Sequence, residues 1–307
     1  MSHLRPKSAS SFAVSKLWDK PERELRSPVL DVSEPEPVKP GLVLIADGDL
    51  GSRRALEDLV AAEHATASII HAADGAEALA ALKHHEVDLA LVDRCLRGLD
   101  GAEFLRELQS SARSAMLALL SDRLVPRWAR VARAIGAYDV LLKPMHSRQI
   151  GNLMAAYSRT CLPTNVLVVE PSPKTLELVA GMLRKSVFRL NLDLCDTAQD
   201  ALSALVPQFY DIAIVNMSLP DGNGVETAFQ LLSRSPSTRI IVYGLPNAYS
   251  PAILKKLGVA AHLRIPFEPY ELELALHDAM KLWQPYLLKA VGRAEKLDQG
   301  GVDYLFR

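Results

Sequence analysis

Two carboxylates and one lysine stand at the ends of three predicted strands. Asp93 closes an apolar run that is typical of a short buried strand. Asp47 follows a similar run at 42–45, and Lys143 follows another at 140–142. Open α/β sheets place their chemistry at the carboxyl ends of their strands. One such sheet would bring the three side chains together in a site that joins two acids to a cation.

The elements that would position these side chains alternate between strand and helix patterns. This alternation is the signature of a parallel sheet that is covered on both faces. The predicted strands are 42–45, 68–71, 89–93, 116–120 and 140–142, and the last predicted helix runs from about 146 to 159. Five strand–helix units in about 115 residues are typical of the flavodoxin-like, doubly wound fold.

The same pattern repeats after a short break at 161–165. Glu170 and Asn216 are separated by the same number of residues as Asp47 and Asp93, and the string LRIPF parallels LLKPM. An internal repeat of this kind predicts two copies of one structural unit. We therefore expect one domain at 41–160 and a second at 164–284.

The set Asp47, Asp93, Ser121 and Lys143-Pro144 resembles the receiver domain of two-component response regulators. The string GAYDVLLKP is similar to the end of that domain, and the resemblance covers the whole first unit. The second unit also resembles a receiver domain. The resemblance implies two flavodoxin-like (βα)5 receiver domains in tandem, in a response regulator of two-component signalling.

The resemblance assigns a role to each residue of the first site. Asp93 matches the phosphoacceptor, which would take its phosphoryl group from a histidine kinase or a histidine phosphotransfer protein. Lys143 matches the lysine that pairs with the phosphoryl group, and Ser121 matches the hydroxyl residue that hydrogen-bonds it. A Mg²⁺ ion would be held by Asp47, by Asp93 and by the backbone carbonyl of Cys95.

The first unit departs from the family in its acidic pair and in its switch residue. Gly48 stands where the family has a second acid, which implies weak magnesium binding. Asp49, one position later, is the alternative carboxylate for the metal. Val140 replaces the aromatic switch residue, whose ring rotation therefore cannot operate here. Tyr138 lies two residues earlier and is expected to point the same way. The bond before Pro144 is expected to be cis, as in the family.

The second unit keeps the pattern of the fold and loses the residues of the site. Glu170 is followed by proline instead of an acid, Asn216 replaces the acceptor and Ile265 replaces the lysine. An amide is a poor nucleophile, so Asn216 cannot form a stable acyl phosphate. Tyr243 or Gly244 takes the hydroxyl position, depending on the register. A fold without its site favours a binding role. We expect a pseudo-receiver that binds a downstream protein or a second copy, with structural support of its neighbour as the alternative.

Composition excludes several other classes of function. The 307 residues have a formal net charge of −1, so no basic field indicates a nucleic-acid partner. No apolar run approaches the roughly 18–20 residues of a membrane helix, so no membrane partner is expected. The three cysteines lack a CxxC pattern and fit a reducing cytoplasm. Gly48 and Gly51 do not have the spacing of a dinucleotide-binding loop. We therefore do not expect an enzyme.

The two ends of the chain differ from its centre. Residues 1–40 are rich in Ser, Pro and charge and predict a disordered arm, and 285–307 predict a helix and a tail that ends in VDYLFR. No helix-turn-helix, cyclase or kinase motif follows the second unit. We expect a response regulator without an output domain, phosphorylated in its first receiver and binding proteins through its second. The alternative is a phosphorylation-independent adaptor or scaffold built from two receiver-like domains.

Overall fold

The computed structural model describes residues 37–97, 107, 110, 115–124, 126–205, 209–244 and 251–290. The predicted arm lies outside the described residues except for 37–40, and so do most of the helix expected after 101 and the tail after 290. The described residues belong to one compact unit that begins at Pro37.

The first unit is a five-stranded parallel sheet with helices packed on both faces. Its strands are β1 (Leu42–Ala46), β2 (Ser68–Ala72), β3 (Leu89–Asp93), β4 (Met116–Ser121) and β5 (Asp139–Leu142). Its helices are α1 (Leu50–Glu63), α2 (Gly75–His84), α3 (Pro126–Ala134) and α4 (Ser147–Cys161). The strand order is β2-β1-β3-β4-β5, and every pairing is parallel.

Alternation of side chains along each strand produces the two packed faces. On β1, Val43 and Ile45 pack with α1 and α4, whereas Leu44 and Ala46 pack with α2 and α3. Because both faces are covered, β3 is buried along its whole length. The continuous apolar run before Asp93 is therefore a consequence of the parallel sheet.

The second unit repeats this architecture. Its strands are β6 (Thr164–Val169), β7 (Leu190–Cys195), β8 (Ile212–Asn216), β9 (Ser218–Leu219), β10 (Gly222–Asn223), β11 (Arg239–Tyr243) and β12 (Val259–Leu263). Its helices are α5 (Pro173–Leu183), α6 (Ala198–Ala204), α7 (Gly224–Arg234), α8 (Pro251–Lys256) and α9 (Pro269–Ala279). The order of the main sheet is β7-β6-β8-β11-β12. It corresponds strand by strand to the order β2-β1-β3-β4-β5 of the first sheet. The predicted fold class, two flavodoxin-like units in tandem, is confirmed.

The chain returns to the first unit after the second one ends. Only Leu162 and Pro163 separate α4 from β6. Residues 286–290 are helical, as predicted for the start of the C-terminal helix, and Leu287 is buried in a core cluster of the first unit. The segment that follows the second unit therefore packs against the first one.

Candidate functional site

The ends of β1, β3 and β5 bring Asp47, Asp93 and Lys143 together. β1 and β3 are neighbours in the sheet, and both carboxylates are buried, with exposed fractions of 2% and 8%. The Lys143 ammonium donates to Asp47 Oδ2 at 2.5 Å and also to Asp93 Oδ2. The arrangement that the strand ends predicted is present, with one cation bridging two acids. The bond between Lys143 and Pro144 is cis.

Backbone N–H groups hold the remaining carboxylate oxygens of this site. Asp47 Oδ1 accepts from the Asp49 N–H at 2.9 Å, and Asp93 Oδ1 accepts from the Cys95 N–H at 2.7 Å. Burial alone would lower the pKa of Lys143, but its hydrogen bonds to the two carboxylates and their charges together raise the pKa above its usual range. The lysine therefore stays charged at the centre of the site.

Ser121 is the last residue of β4, and its hydroxyl is turned toward the following loop. The hydroxyl donates to the Arg123 carbonyl at 2.7 Å and accepts from Arg94 Nε at 3.1 Å. Ser121 is buried, which places the hydroxyl at the edge of the site rather than in solvent. It must exchange these partners before it can bond a group on Asp93.

Gly48 and Asp49 occupy the loop that follows β1. Asp49 is exposed and caps α1, where its Oδ1 accepts from the Ser52 N–H at 2.7 Å. That hydrogen bond lowers the pKa of Asp49 below its usual value. At Gly48, an added Cβ would meet only the Ala73 carbonyl oxygen, at 3.9 Å. The loop therefore has room for an acid at position 48, while the acid at position 49 is engaged at the helix terminus.

The second unit closes the corresponding strand ends with neutral hydrogen-bond donors. Glu170 is buried, and its Oε2 accepts from Asn216 Nδ2 and from the Tyr243 hydroxyl, both at 2.7 Å. Its Oε1 accepts from the Ser172 N–H at 2.8 Å. Burial first, and then the bond to Glu170, raise the pKa of Tyr243 far above its usual value. The tyrosine thus remains a donor, and the carboxylate is satisfied without a cation.

The register decides which residue replaces Ser121. Tyr243 pairs with Asn216 as Leu120 pairs with Asp93, so Gly244 is the counterpart of Ser121. Gly244 has a φ of 76°, and a Cβ there would lie 2.9 Å from Asn216 Oδ1. Ile265, which stands in place of the lysine, is 55% exposed. Sequence reasoning found these losses but missed the bond between Tyr243 and Glu170, which no spacing signals.

Residues 43–155 and 166–277 each match the response regulator receiver domain family. The chain belongs to this family, with two receiver domains in tandem. Among solved structures, two proteins described as two-component system response regulator/GGDEF domain proteins are 21% identical to this chain. Each match covers 78% of this chain and 98% of the other, with TM-scores of 0.57 and 0.58. At this identity the likeness concerns the fold. Comparison with the curated proteins gave no match.

The donor set of the first receiver fits Mg²⁺ in kind but is small. Carboxylate and carbonyl oxygens are the ligands that Mg²⁺ takes in proteins, and Asp47, Asp93 and the Cys95 carbonyl would supply them. Within the described residues, no group of three acidic, histidine or cysteine side chains is placed to hold a metal. Two carboxylates, those of Asp47 and Asp93, meet at these strand ends.

Val140 and Tyr138, the two residues considered for the switch, lie on different faces of the first sheet. Val140 is buried in one core cluster of the first receiver, whereas Tyr138 packs at the edge of the cluster on the other face. The expectation that both side chains point the same way is thus wrong. The Tyr138 hydroxyl lies 3.0 Å from His277 Nε2, because the residue stands ahead of β5, at the junction with α9.

In the described part of the chain, no helix is long and apolar enough to cross a membrane.

Proposed function

We propose that the first receiver accepts a phosphoryl group on Asp93 from a histidine kinase or a histidine phosphotransfer protein. The observation that supports this proposal is the bridge from Lys143 to Asp47 and Asp93. A positioned cation beside a buried carboxylate is what an incoming phosphoryl group requires, since catalysis of this transfer is mostly positioning and charge stabilisation. In this proposal the protein is a cytoplasmic signalling protein rather than an enzyme.

The transfer exchanges one bond to phosphorus for another. An Asp93 carboxylate oxygen forms the new P–O bond, and the donor's P–N bond breaks with its electron pair remaining on the imidazole nitrogen. The product is an acyl phosphate with more negative charge than the carboxylate. Lys143 would move its hydrogen bond from Asp93 to the phosphoryl oxygens, and Ser121 would leave the Arg123 carbonyl to donate to them.

Asp47, Asp93 and the Cys95 carbonyl would hold a Mg²⁺ ion in this receiver. When bound, the ion offsets the negative charge of the phosphoryl oxygens. Two carboxylates are a minimal set, so we propose weak magnesium binding. Asp49 would have to leave its position at the start of α1 to contribute a third.

We propose that the second receiver acts through binding, either to a downstream protein or to a second copy of the chain. Its site contains no acceptor carboxylate at Asn216 and no lysine at position 265, and Glu170 is already satisfied. The small donor set around Gly48 favours one competing function, in which neither receiver is phosphorylated and the whole chain is an adaptor.

Labelling with acetyl phosphate, followed by intact-mass measurement, tests the proposal. We expect one phosphate on the wild-type chain in the presence of magnesium and none on Asp93→Asn. Asp58→Asn, which removes an exposed acid of α1, serves as the matched control and should label like the wild type. Phosphate on Asp93→Asn would show that another residue is the acceptor, and no phosphate on the wild type at saturating magnesium would favour the adaptor.

A further inference from the structure

The segment 283–290 lies outside both matched receiver ranges and yet completes the first receiver. Leu287 is 5% exposed and belongs to the same core cluster as Ala132, Ile135 and Val140. Tyr286 and Ala290 pack against that cluster as well. The segment therefore follows the second receiver in sequence but packs against the first receiver.

A buried carboxylate holds the start of this segment. Asp139, the first residue of β5, is 1% exposed, and its Oδ1 accepts from the N–H groups of Val140 at 2.8 Å and Leu287 at 3.2 Å. The first N–H groups of a helix lack partners inside the helix and carry a partial positive charge. The Asp139 carboxylate provides a hydrogen-bond acceptor for the first turn of the helix that begins at 286. It lies almost 150 residues earlier in the chain.

Open pockets flank the rest of the contact. Trp283 and Tyr286 line a pocket of about 210 Å³ together with Val140 and Leu142, and Leu287 and Leu288 line a larger one of about 1030 Å³. The first receiver therefore does not enclose the segment on all sides. Leu287 and the Asp139 hydrogen bond hold its centre, and Arg148 of α4 lies 5.9 Å from the Trp283 ring at its start.

β5 connects this contact to the acid site. Asp139 begins the strand and Lys143 follows its end, so about 13 Å of extended backbone lie between them. Among the described strands, β5 stands at the edge of the sheet and pairs with β4. A shift of Lys143 away from Asp47 and Asp93 therefore acts on the strand that carries the Asp139 carboxylate.

We propose that residues 283–290 form a releasable latch on the first receiver, held by Asp139 and opened when the charge on Asp93 changes. The part that concerns Asp93 rests on the proposed phosphorylation. While closed, the latch covers the apolar surface formed by Ala129, Ala132, Ile135 and Val140. Release would expose that surface beside the half-exposed Leu142.

Hydrogen exchange of the whole chain, measured by mass spectrometry, tests the latch without phosphate. Amides 286–290 should exchange at least about tenfold more slowly than in a synthetic peptide of residues 283–290. Asp139→Ala and Leu287→Ser should each remove this protection, while β1 and β8 keep theirs. Asp139→Asn should retain it, because the amide oxygen accepts the same N–H. Leu194→Ser, at an exposed leucine of β7, should change nothing at 286–290.

Unchanged exchange at 286–290 in both Asp139→Ala and Leu287→Ser would overturn the latch, as would peptide-like exchange in the wild type. If Asp139→Ala does not fold, Leu287→Ser decides, because Leu287 lies outside both receiver ranges.

A second arm tests the coupling to the acid site. Wild-type protein treated with acetyl phosphate and magnesium should show faster exchange at 286–290, in proportion to the phosphorylated fraction given by intact mass. Phosphate uptake without that change would overturn the coupling. If no phosphate is taken up, the proposed function has failed instead, and Lys143→Met then tests the coupling alone. This variant breaks the bonds to Asp47 and Asp93, so exchange at 286–290 should become faster. Unchanged exchange at 286–290 would overturn the coupling.

Discussion

The two receivers treat the same pair of strand ends in opposite ways. At the end of β3, Asp93 shares the Lys143 ammonium with Asp47. At the end of β8, Asn216 donates its own amide to Glu170, and Tyr243 adds a second neutral donor. In the first receiver one lysine side chain balances the charge of the carboxylates, whereas in the second receiver neutral donors satisfy the one carboxylate.

This difference bears on how each site can respond to a new anion. Lys143 can exchange a carboxylate for a phosphoryl oxygen, because both are anionic acceptors. Asn216 and Tyr243 have no such alternative, since leaving Glu170 would strand a buried carboxylate, at a cost of several kcal/mol. The second receiver thus has one stable arrangement of this site, which suits a constant binding surface.

The largest expected effect concerns the number of phosphates. Wild-type protein should take up one phosphate per chain, and Asn216→Asp should still take up one, because Ile265 supplies no cation for a second acyl phosphate. Intact mass after saturation with acetyl phosphate measures the count. A second phosphate on wild type or on Asn216→Asp would break the distinction between the two sites.

The stability of the second site should depend on the amide of Asn216. Asn216→Asp removes a donor to Glu170 and places two carboxylates together without a cation, which should cost roughly 3–5 kcal/mol of unfolding free energy. Adding Ile265→Lys should recover part of the loss, because position 265 is exposed and matches Lys143. Urea denaturation of the single and double variants measures both effects.

The mirrored change in the first receiver provides the control. Asp93→Asn keeps an oxygen for the Cys95 N–H and leaves Lys143 paired with Asp47, so it should alter the unfolding free energy by no more than about 1 kcal/mol. Equal losses from Asp93→Asn and Asn216→Asp would contradict the view that only the second site is closed by neutral donors.

Asp139 should give the first receiver a pH dependence of stability that has no counterpart at the same position of the second receiver. Burial raises the pKa of Asp139 to about 7, partly offset by the N–H groups of Val140, Leu287 and Tyr286 and by Lys289. The equivalent position in the second receiver is Ala261, given the registers of β5 and β12. The folded state holds the Asp139 proton more tightly than the unfolded state, so the contribution of Asp139 to stability is fully present below about pH 4 and is lost as pH rises through about 7.

Asp139→Asn isolates this contribution. The variant should lose the decline between pH 4 and 7, which amounts to roughly 2–4 kcal/mol for a shift of this size. Urea denaturation at pH 5, 6, 7 and 8 provides the curves, with Asp58→Asn as the exposed-acid control. Parallel curves for wild type and Asp139→Asn would show that Asp139 does not titrate in this range.

What could be predicted from sequence follows from short-range rules. Apolar runs located β1 and β3, and because parallel strands end at one edge, they also located Asp47, Asp93 and Lys143. The Tyr243–Glu170 bond could not be predicted, since it depends on the register between β8 and β11. The hydrogen bond from Leu287 to Asp139 could not be predicted either. It forms because the chain packs against the first receiver after α9, and no local sequence pattern indicates that contact.

The smallest effect concerns magnesium and Gly48. Gly48→Asp restores the acid that the family has at this position, and the loop has room for its Cβ. An added anionic ligand should tighten magnesium binding by about 1–3 kcal/mol, roughly 5- to 150-fold, by analogy with charged hydrogen bonds. Titration calorimetry with Mg²⁺ measures the affinity, and Gly48→Asn separates the effect of charge from that of shape.

Asp49 decides whether the gap at Gly48 is real. In the structure its carboxylate caps α1 through the Ser52 N–H, so Asp49→Ala should weaken the helix terminus without changing magnesium affinity. The opposite pattern, with Asp49→Ala abolishing magnesium binding and Gly48→Asp having no effect, would assign the second acid to Asp49. The first receiver would then have three carboxylates for magnesium. The difference between its site and the site around Glu170 would depend on Lys143 and on the acceptor residue alone.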